Sequence, residues 1–241
     1  MLYNAIMSQD AATGSARGWR IGCVSFLNAR PLIDGLGDED LTLCCDVPAK
    51  LLDDLLGGEV DVALCPVIDY QRSGEPLVIV PVGGIGCDGP TLTVRLFSRV
   101  PLDQITTLAA DVESHTSVAL AQVVLDEQFG RRVTVQPLIE SQLDGPASDW
   151  PESMLLIGDK VVTRGEQVEA YPHQLDLGEA WGEMTGLPFV FAIWMARAGA
   201  DLGDVPERLD RQRRANANRI DAIVAAHAAA LGWPSDLARQ Y

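Results

Sequence analysis

Histidine and cysteine are scarce in this chain of 241 residues, three and five respectively, and neither type clusters. The histidines (His115, His173, His227) stand far apart, and the cysteines (Cys23, Cys44, Cys45, Cys65, Cys87) form no C-x-x-C pair. A zinc centre draws its ligands from such clusters, so no metal is expected. Four of the cysteines lie in or beside apolar runs, where a thiol behaves as a small hydrophobe. Positive charge is also short: 18 Lys and Arg against 34 Asp and Glu leave a net charge of −16. Affinity for a phosphate backbone rests on clustered basic residues, so nucleic acid is not an expected partner. An anionic small molecule is not excluded, because a helix N-terminus and a few oriented donors can override the overall field locally. Long apolar runs are missing too, and none approaches the roughly 20 residues needed to cross a bilayer. Polar Ser, Gln, Asp and Thr interrupt residues 1–19 where a secretory leader needs an unbroken apolar stretch, so a loose extension, a cytoplasmic location and no membrane contact are expected.

What the chain does have is apolar material in short alternating blocks. Hydrophobic residues make up 47% and charged residues 22%, the balance of a globular protein long enough for one large or two small domains. Strands are predicted at Arg20 to Val24, Leu41 to Asp46, Val60 to Cys65 and Leu77 to Pro81. Pro48 opens a helix whose Leu51, Leu52, Leu55 and Leu56 share a face and whose glycines mark the stop, which makes a βαβ unit and a parallel sheet. A long strand from Thr91 to Ser98 leads into a second alternating set: Thr106 to Asp111, a helix from Thr116 to Phe129 closed by Gly130, Val133 to Pro137, Met154 to Gly158, and a helix near Ala180. An apolar strand, Phe189 to Ala196, returns toward a helical tail from Glu207 to Leu231. Two long strands bracketing an inserted α/β unit predict two lobes joined by two crossings: residues 20–98 with 192–241 as one lobe, 99–191 as the other, and a cleft between them.

Five stretches offer chemistry. The first strand stops abruptly at Ser25-Phe26-Leu27-Asn28, with Pro31 in the first turn of the next helix; the Asn28 amide either closes a turn or is delivered to a cleft. Gly83-Gly84-Ile85-Gly86-Cys87-Asp88-Gly89-Pro90 lets backbone approach a ligand closely, and Thr93 places a hydroxyl just beyond. Glu113-Ser114-His115-Thr116-Ser117 opens a helix, where the hydroxyls either cap it or, with the free N–H groups, hold a carboxylate. Asp159 ends the run Leu155-Leu156-Ile157-Gly158 and is either a helix cap or a site carboxylate. Leu177 to Trp181 and Thr185 to Phe191 bring aromatic residues that read as core or hinge.

Taken in this order, the pieces resemble the chorismate dehydratase family of the futalosine route to menaquinone, from about Arg20 to the end. The resemblance rests on Ser25 to Asn28 with Pro31-Leu32, Val47-Pro48 before a Leu-rich helix, and Gly58 to Leu64 before Pro66. It continues through Gly89-Pro90 with Thr93-Val94, Leu96 to Pro101, Thr116-Ser117-Val118, Ile157-Gly158-Asp159 and Thr185 to Ala192. It implies an α/β, two-lobed fold of the type II periplasmic-binding-protein kind, used inside the cell as an enzyme without a cofactor. The implied substrate is chorismate, with Asn28 and Thr93 catalytic and Ser25, Phe26, Leu27, Gly89, Pro90, Ser114, Thr116, Ser117, Gly158 and Asp159 binding it. Thr93 stands where the family usually has Ser, and the chain stops at Arg239-Gln240-Tyr241, before the family's last helical segment. The base is either Asp159 or the enolpyruvyl carboxylate of the substrate. A binding protein of the same fold and the sister enzyme that releases a dihydroxynaphthoate are the rival readings, and a homodimer is left open.

Overall fold

The computed structural model describes residues 18–111 and 113–241. Of the expected extension at 1–19, all but Gly18 and Trp19 lies outside the described residues, and Trp19 already opens the first strand. The strands come in chain order as β1 (Trp19–Val24), β2 (Leu41–Asp46), β3 (Val62–Pro66), β4 (Leu77–Cys87), β5 (Val94–Ser98), β6 (Thr107–Asp111), β7 (Thr134–Leu138), β8 (Ser153–Ile157), β9 (His173–Asp176) and β10 (Phe189–Arg197). The helices are α1 (Arg30–Ile33), α2 (Pro48–Leu56), α3 (Asp69–Arg72), α4 (His115–Phe129), α5 (Lys160–Thr163), α6 (Gly165–Val168), α7 (Leu177–Thr185), α8 (Val205–Ala217), α9 (Ile220–His227) and α10 (Ser235–Gln240). None of them is long and apolar enough to cross a membrane.

Two five-stranded sheets repeat one plan. The first runs β2-β1-β3-β10-β4, the second β7-β6-β8-β5-β9. In each, three strands are parallel and the last two join antiparallel, by way of β10 in the first sheet and β5 in the second. Every residue of β3 and of β8 is buried, as expected of central strands covered on both faces. Pro48 sits in the first turn of α2, where its missing N–H costs nothing, and Leu51 and Leu55 turn into the first core. Ser114 caps α4 at one end, and Gly130, at φ 65°, closes it at the other.

Lobe boundaries differ from the expected ones. Val94–Ser98, expected in the first lobe, lies between β8 and β9 in the second sheet, whereas Phe189, Val190 and Phe191, expected in the second lobe, begin β10 of the first. The cause is the Asp176 carboxylate, which takes up the Thr91 and Leu92 N–H groups and turns the chain before β5 rather than after it. Thr91 to Thr93 are therefore crossing rather than strand. Gly83, Gly84 and Gly86, read as part of a glycine-rich turn, belong to β4 instead. A Cβ on Gly84 would stand 2.5 Å from the Ala192 carbonyl oxygen and one on Gly86 2.7 Å from that of Phe189, so these glycines let β4 and β10 approach. The tail is two helices, not one. Val205 and Leu209 of α8 pack on the first sheet's core, while Val224 of α9 packs with Leu27 and Trp233, and a break at Asn218 and Arg219 turns the chain from one to the other.

Gly178 of α7 backs directly onto the first crossing, where an added Cβ would meet Cys87 Sγ and the Gly89 carbonyl oxygen, both at 2.6 Å. Gly182, one turn on, faces open space. Gly178→Ala is expected to lose about 1–3 kcal/mol by overpacking, while Gly182→Ala gains up to about 1 kcal/mol from helix propensity. Urea unfolding of the two variants checks this opposition in sign.

Candidate active site

Between the sheets lies a cavity of about 260 Å³, at the carboxyl ends of the parallel strands β1, β3 and β8, where open α/β sheets bind their ligands. Val24, Phe26, Asn28, Pro48 and Pro66 wall it from the first lobe, and Ser114, Ser117, Ile157 and Gly158 from the second. The crossing from Cys87 to Val94 and the returning strand at Phe191 close a third side. Gln240 and Tyr241 close the fourth from α10.

Specific contacts hold the crossing, Thr93 and the start of α4 in place. The Asp176 carboxylate accepts from Thr91 N (2.9 and 3.0 Å), Thr91 Oγ1 (3.0 Å) and Leu92 N (2.8 Å) on the crossing, and from Gly178 N (3.0 Å) and Glu179 N (3.2 Å) at the start of α7. Leu92 adopts a left-handed φ of 65°, a conformation costing a leucine about 1–2 kcal/mol, and the Asp176 bonds hold it there. Thr93 is buried, and its Oγ1 donates to Tyr241 Oη at 2.7 Å. The Thr93 carbonyl accepts from Gly158 N at 2.9 Å, which ties two walls together. Asn28 Oδ1 is buried without a hydrogen-bond partner, an orphaned acceptor worth about 1–3 kcal/mol. At the start of α4, Ser114 Oγ accepts from Ser117 N (3.2 Å) and donates to Ser117 Oγ (2.7 Å).

Of the residues expected in the site, the cavity wall contains Asn28, Thr93, Phe26, Pro90, Ser114, Ser117 and Gly158. The other five stand elsewhere. Ser25 is exposed, and Gly89, with φ 111°, turns the crossing behind the wall without joining it. Leu27 packs with Val224 and Trp233 under the C-terminal helices. Thr116 Oγ1 accepts from Ile68 N at 3.4 Å, a bond between lobes. Asp159 makes no side-chain cap on α5 and is absent from the wall; its Oδ1 accepts from Trp233 Nε1 (2.8 Å) and Leu27 N (3.4 Å). Burial pushes the Asp159 carboxyl above the usual carboxylate range, more than those two bonds draw it down. Asp159 does stand at the N-cap position of α5, as one sequence reading had it, but its carboxylate is turned to Trp233 and Leu27 rather than to the helix or the cleft.

Sequence reasoning missed Tyr241 and Asp176. A strand followed by Asp and then a helix is an N-cap signal that marked Asp176. Tyr241 had no local signal, because its partners Trp233 and Thr93 are set by tertiary packing.

Among the described residues the wall holds no Lys or Arg, and the one carboxylate among them, that of Asp88, is exposed. An anion here would be held by hydroxyls, an amide and the positive end of the 15-residue α4. Beside that helix start, Lys160 bridges Asp111 (2.7 Å) and Glu113 (2.9 Å). Burial alone would lower the Lys160 pKa, but the two carboxylates outweigh it and raise it, so the lysine keeps its charge between them.

A sequence model of the menaquinone biosynthesis family matches residues 19–241. The chain belongs to the menaquinone biosynthesis family. The chorismate dehydratase of Thermus thermophilus is 29% identical over 245 aligned residues, covering 93% of this chain and 87% of that protein. Among solved structures, an Archaeoglobus fulgidus protein superposes with a TM-score of 0.68 at 14% identity, over 94% of this chain and 87% of its own. The periplasmic aliphatic sulphonate binding protein of Escherichia coli superposes with a TM-score of 0.60 at 15% identity, over 91% of this chain and 80% of its own. These likenesses identify the fold of this family member as periplasmic-binding-protein-like.

The lobes of this family member also meet through charge. His115 Nδ1 at the start of α4 lies 2.9 Å from the buried Asp69 carboxylate of α3, whose hydrogen bond raises the imidazole pKa; Arg72 opposes the shift and Asp53 adds to it. A raised folded-state pKa stabilises fully below the ordinary histidine value, and the gain is lost as pH rises through the folded pKa. The melting temperature of His115→Asn is therefore expected to lie furthest below wild type in acid, with the gap closing above neutrality. A gap independent of pH would contradict the linkage.

Proposed function

We propose that the chain is a chorismate dehydratase, a hydro-lyase that converts chorismate to 3-[(1-carboxyvinyl)oxy]benzoate, acting in the cytoplasm on the way to menaquinone. The observation that carries the reading is the meeting of Asn28, Thr93 and the hydroxyl-rich start of α4 around one cavity. The reaction removes the ring C4 hydroxyl and the C3 proton. It leaves the overall oxidation level unchanged, and aromatisation drives it.

The C3 proton is vinylogously acidic through the ring diene and the ring carboxylate. Donors on that carboxylate stabilise the electron-rich intermediate, as an oxyanion hole does. Ser114, Ser117 and the first turn of α4 are suited to that task. The unpartnered Asn28 Oδ1 calls for a donor, and carboxylates have none. The hydroxyl at C4 does, so Asn28 belongs at the leaving group, next to Thr93. With Asp159 engaged elsewhere and Asp88 exposed, the base is the enolpyruvyl carboxylate of the substrate itself, held close to the C3 proton.

Incubation of the purified protein with chorismate is expected to give the loss of one water by mass spectrometry. Tight binding with no change in mass would instead fit a binding protein of the same fold. Asn28→Ala and Thr93→Ala should each lower kcat by about 10² or more, a loss on the scale of one removed oxyanion-hole contact. Near-normal turnover in both would remove the assignment.

A further inference from the structure

Tyr241, which follows α10, brings a phenol into the cavity wall beside Gln240, the last residue of that helix. Its Oη accepts the Thr93 Oγ1 proton at 2.7 Å, which leaves the phenolic proton for a ligand. The ring stacks on Trp233 with centroids 4.7 Å apart and planes 11° apart. Trp233 is itself 4% exposed, and its Nε1 donates to Asp159 Oδ1 at 2.8 Å. Asp159 follows Gly158, a wall residue, so an unbroken chain of contacts runs from the second lobe through Asp159, Trp233 and Tyr241 to Thr93. Burial pushes the phenol pKa well above its ordinary range, which keeps the proton in place at neutral pH.

We propose that Tyr241 is a further catalytic residue, the proton donor to the hydroxyl that leaves C4, with Trp233 and Asp159 as positioning residues. This rests on the dehydratase reading and supplies the acid that reading lacks. The C3–H bond breaks and its proton goes to the enolpyruvyl carboxylate. The C3 electron pair completes the aromatic ring as the C4–O bond breaks, and the departing hydroxide takes the phenolic proton and leaves as water. Thr93 Oγ–H then donates to the phenolate, and the proton held on the enolpyruvyl carboxyl group restores Tyr241. One water is lost and the enzyme is unchanged.

The test is steady-state kinetics with chorismate on wild type and six variants, with unfolding midpoints measured alongside. Tyr241→Phe keeps the stack and removes only the hydroxyl. Its kcat is expected to fall by about 10² or more, the usual scale for a general acid, with KM little changed. Combined with Thr93→Ala it should cost little more than either change alone, since the two hydroxyls act as a unit. Trp233→Phe keeps the phenol but drops the bond to Asp159, and should lower kcat without raising KM. Asp159→Asn, which retains an acceptor oxygen, should lose much less than Asp159→Ala. Full kcat in Tyr241→Phe, a rise confined to KM, or additive losses with Thr93→Ala would overturn the proposal while leaving the dehydratase reading standing. Wild-type protein that removes no water from chorismate would overturn both.

Discussion

The site hangs on one buried carboxylate. Asp176 collects the backbone of Thr91 and Leu92 and the first N–H groups of α7, at the point where the chain leaves the first sheet for the second. Without those bonds the left-handed turn at Leu92 has nothing to balance its strain, and Thr93 has no fixed direction. The same carboxylate pulls α7 against the crossing until only a glycine fits at position 178. The floor of the cavity, the N-cap of a helix and the path between lobes are thus one interaction, and it orients the Thr93 hydroxyl toward Tyr241.

Around that anchor the two lobes are clasped on both sides of the cavity. On one side His115 meets Asp69 and Thr116 meets Ile68; on the other, Asp159 reaches Leu27 and Trp233. The enclosed space carries apolar groups and neutral donors. A strongly acidic protein can hold an anion in this way because oriented hydroxyls and a helix start act at short range, where the net charge is screened and diffuse. A largely apolar surround strengthens each donor, which suits the proposed reaction, whose electron-rich intermediate needs stabilising more than it needs a strong base.

Much of this was legible in the chain. Alternating blocks and the Pro48 and Gly130 punctuation marked the βαβ plan and α4, while the abrupt polar stop after Val24 left Asn28 as either a turn closer or a delivered amide. The order of motifs pointed to the family that residues 19–241 match. What stayed hidden depended on distant partners. The glycines of β4 read as a turn because the approach of β10 was not visible locally, and Val94 to Ser98 read as first-lobe because the Asp176 grip lies about eighty residues away. Asp159 looked like a cap because its indole partner comes from Trp233, and Tyr241 looked like a chain end because its ring earns its place only through stacking.

The central claim is that one cavity holds the ring with its two ends read by different donors. A crystal structure of the wild-type protein with 3-[(1-carboxyvinyl)oxy]benzoate tests it most directly. The account predicts the ring carboxylate on Ser114, Ser117 and the first turn of α4, and the C3–C4 edge facing Asn28, Thr93 and Tyr241. Product bound outside this cavity, or turned so that its ring carboxylate meets Asn28 and Thr93, would contradict it.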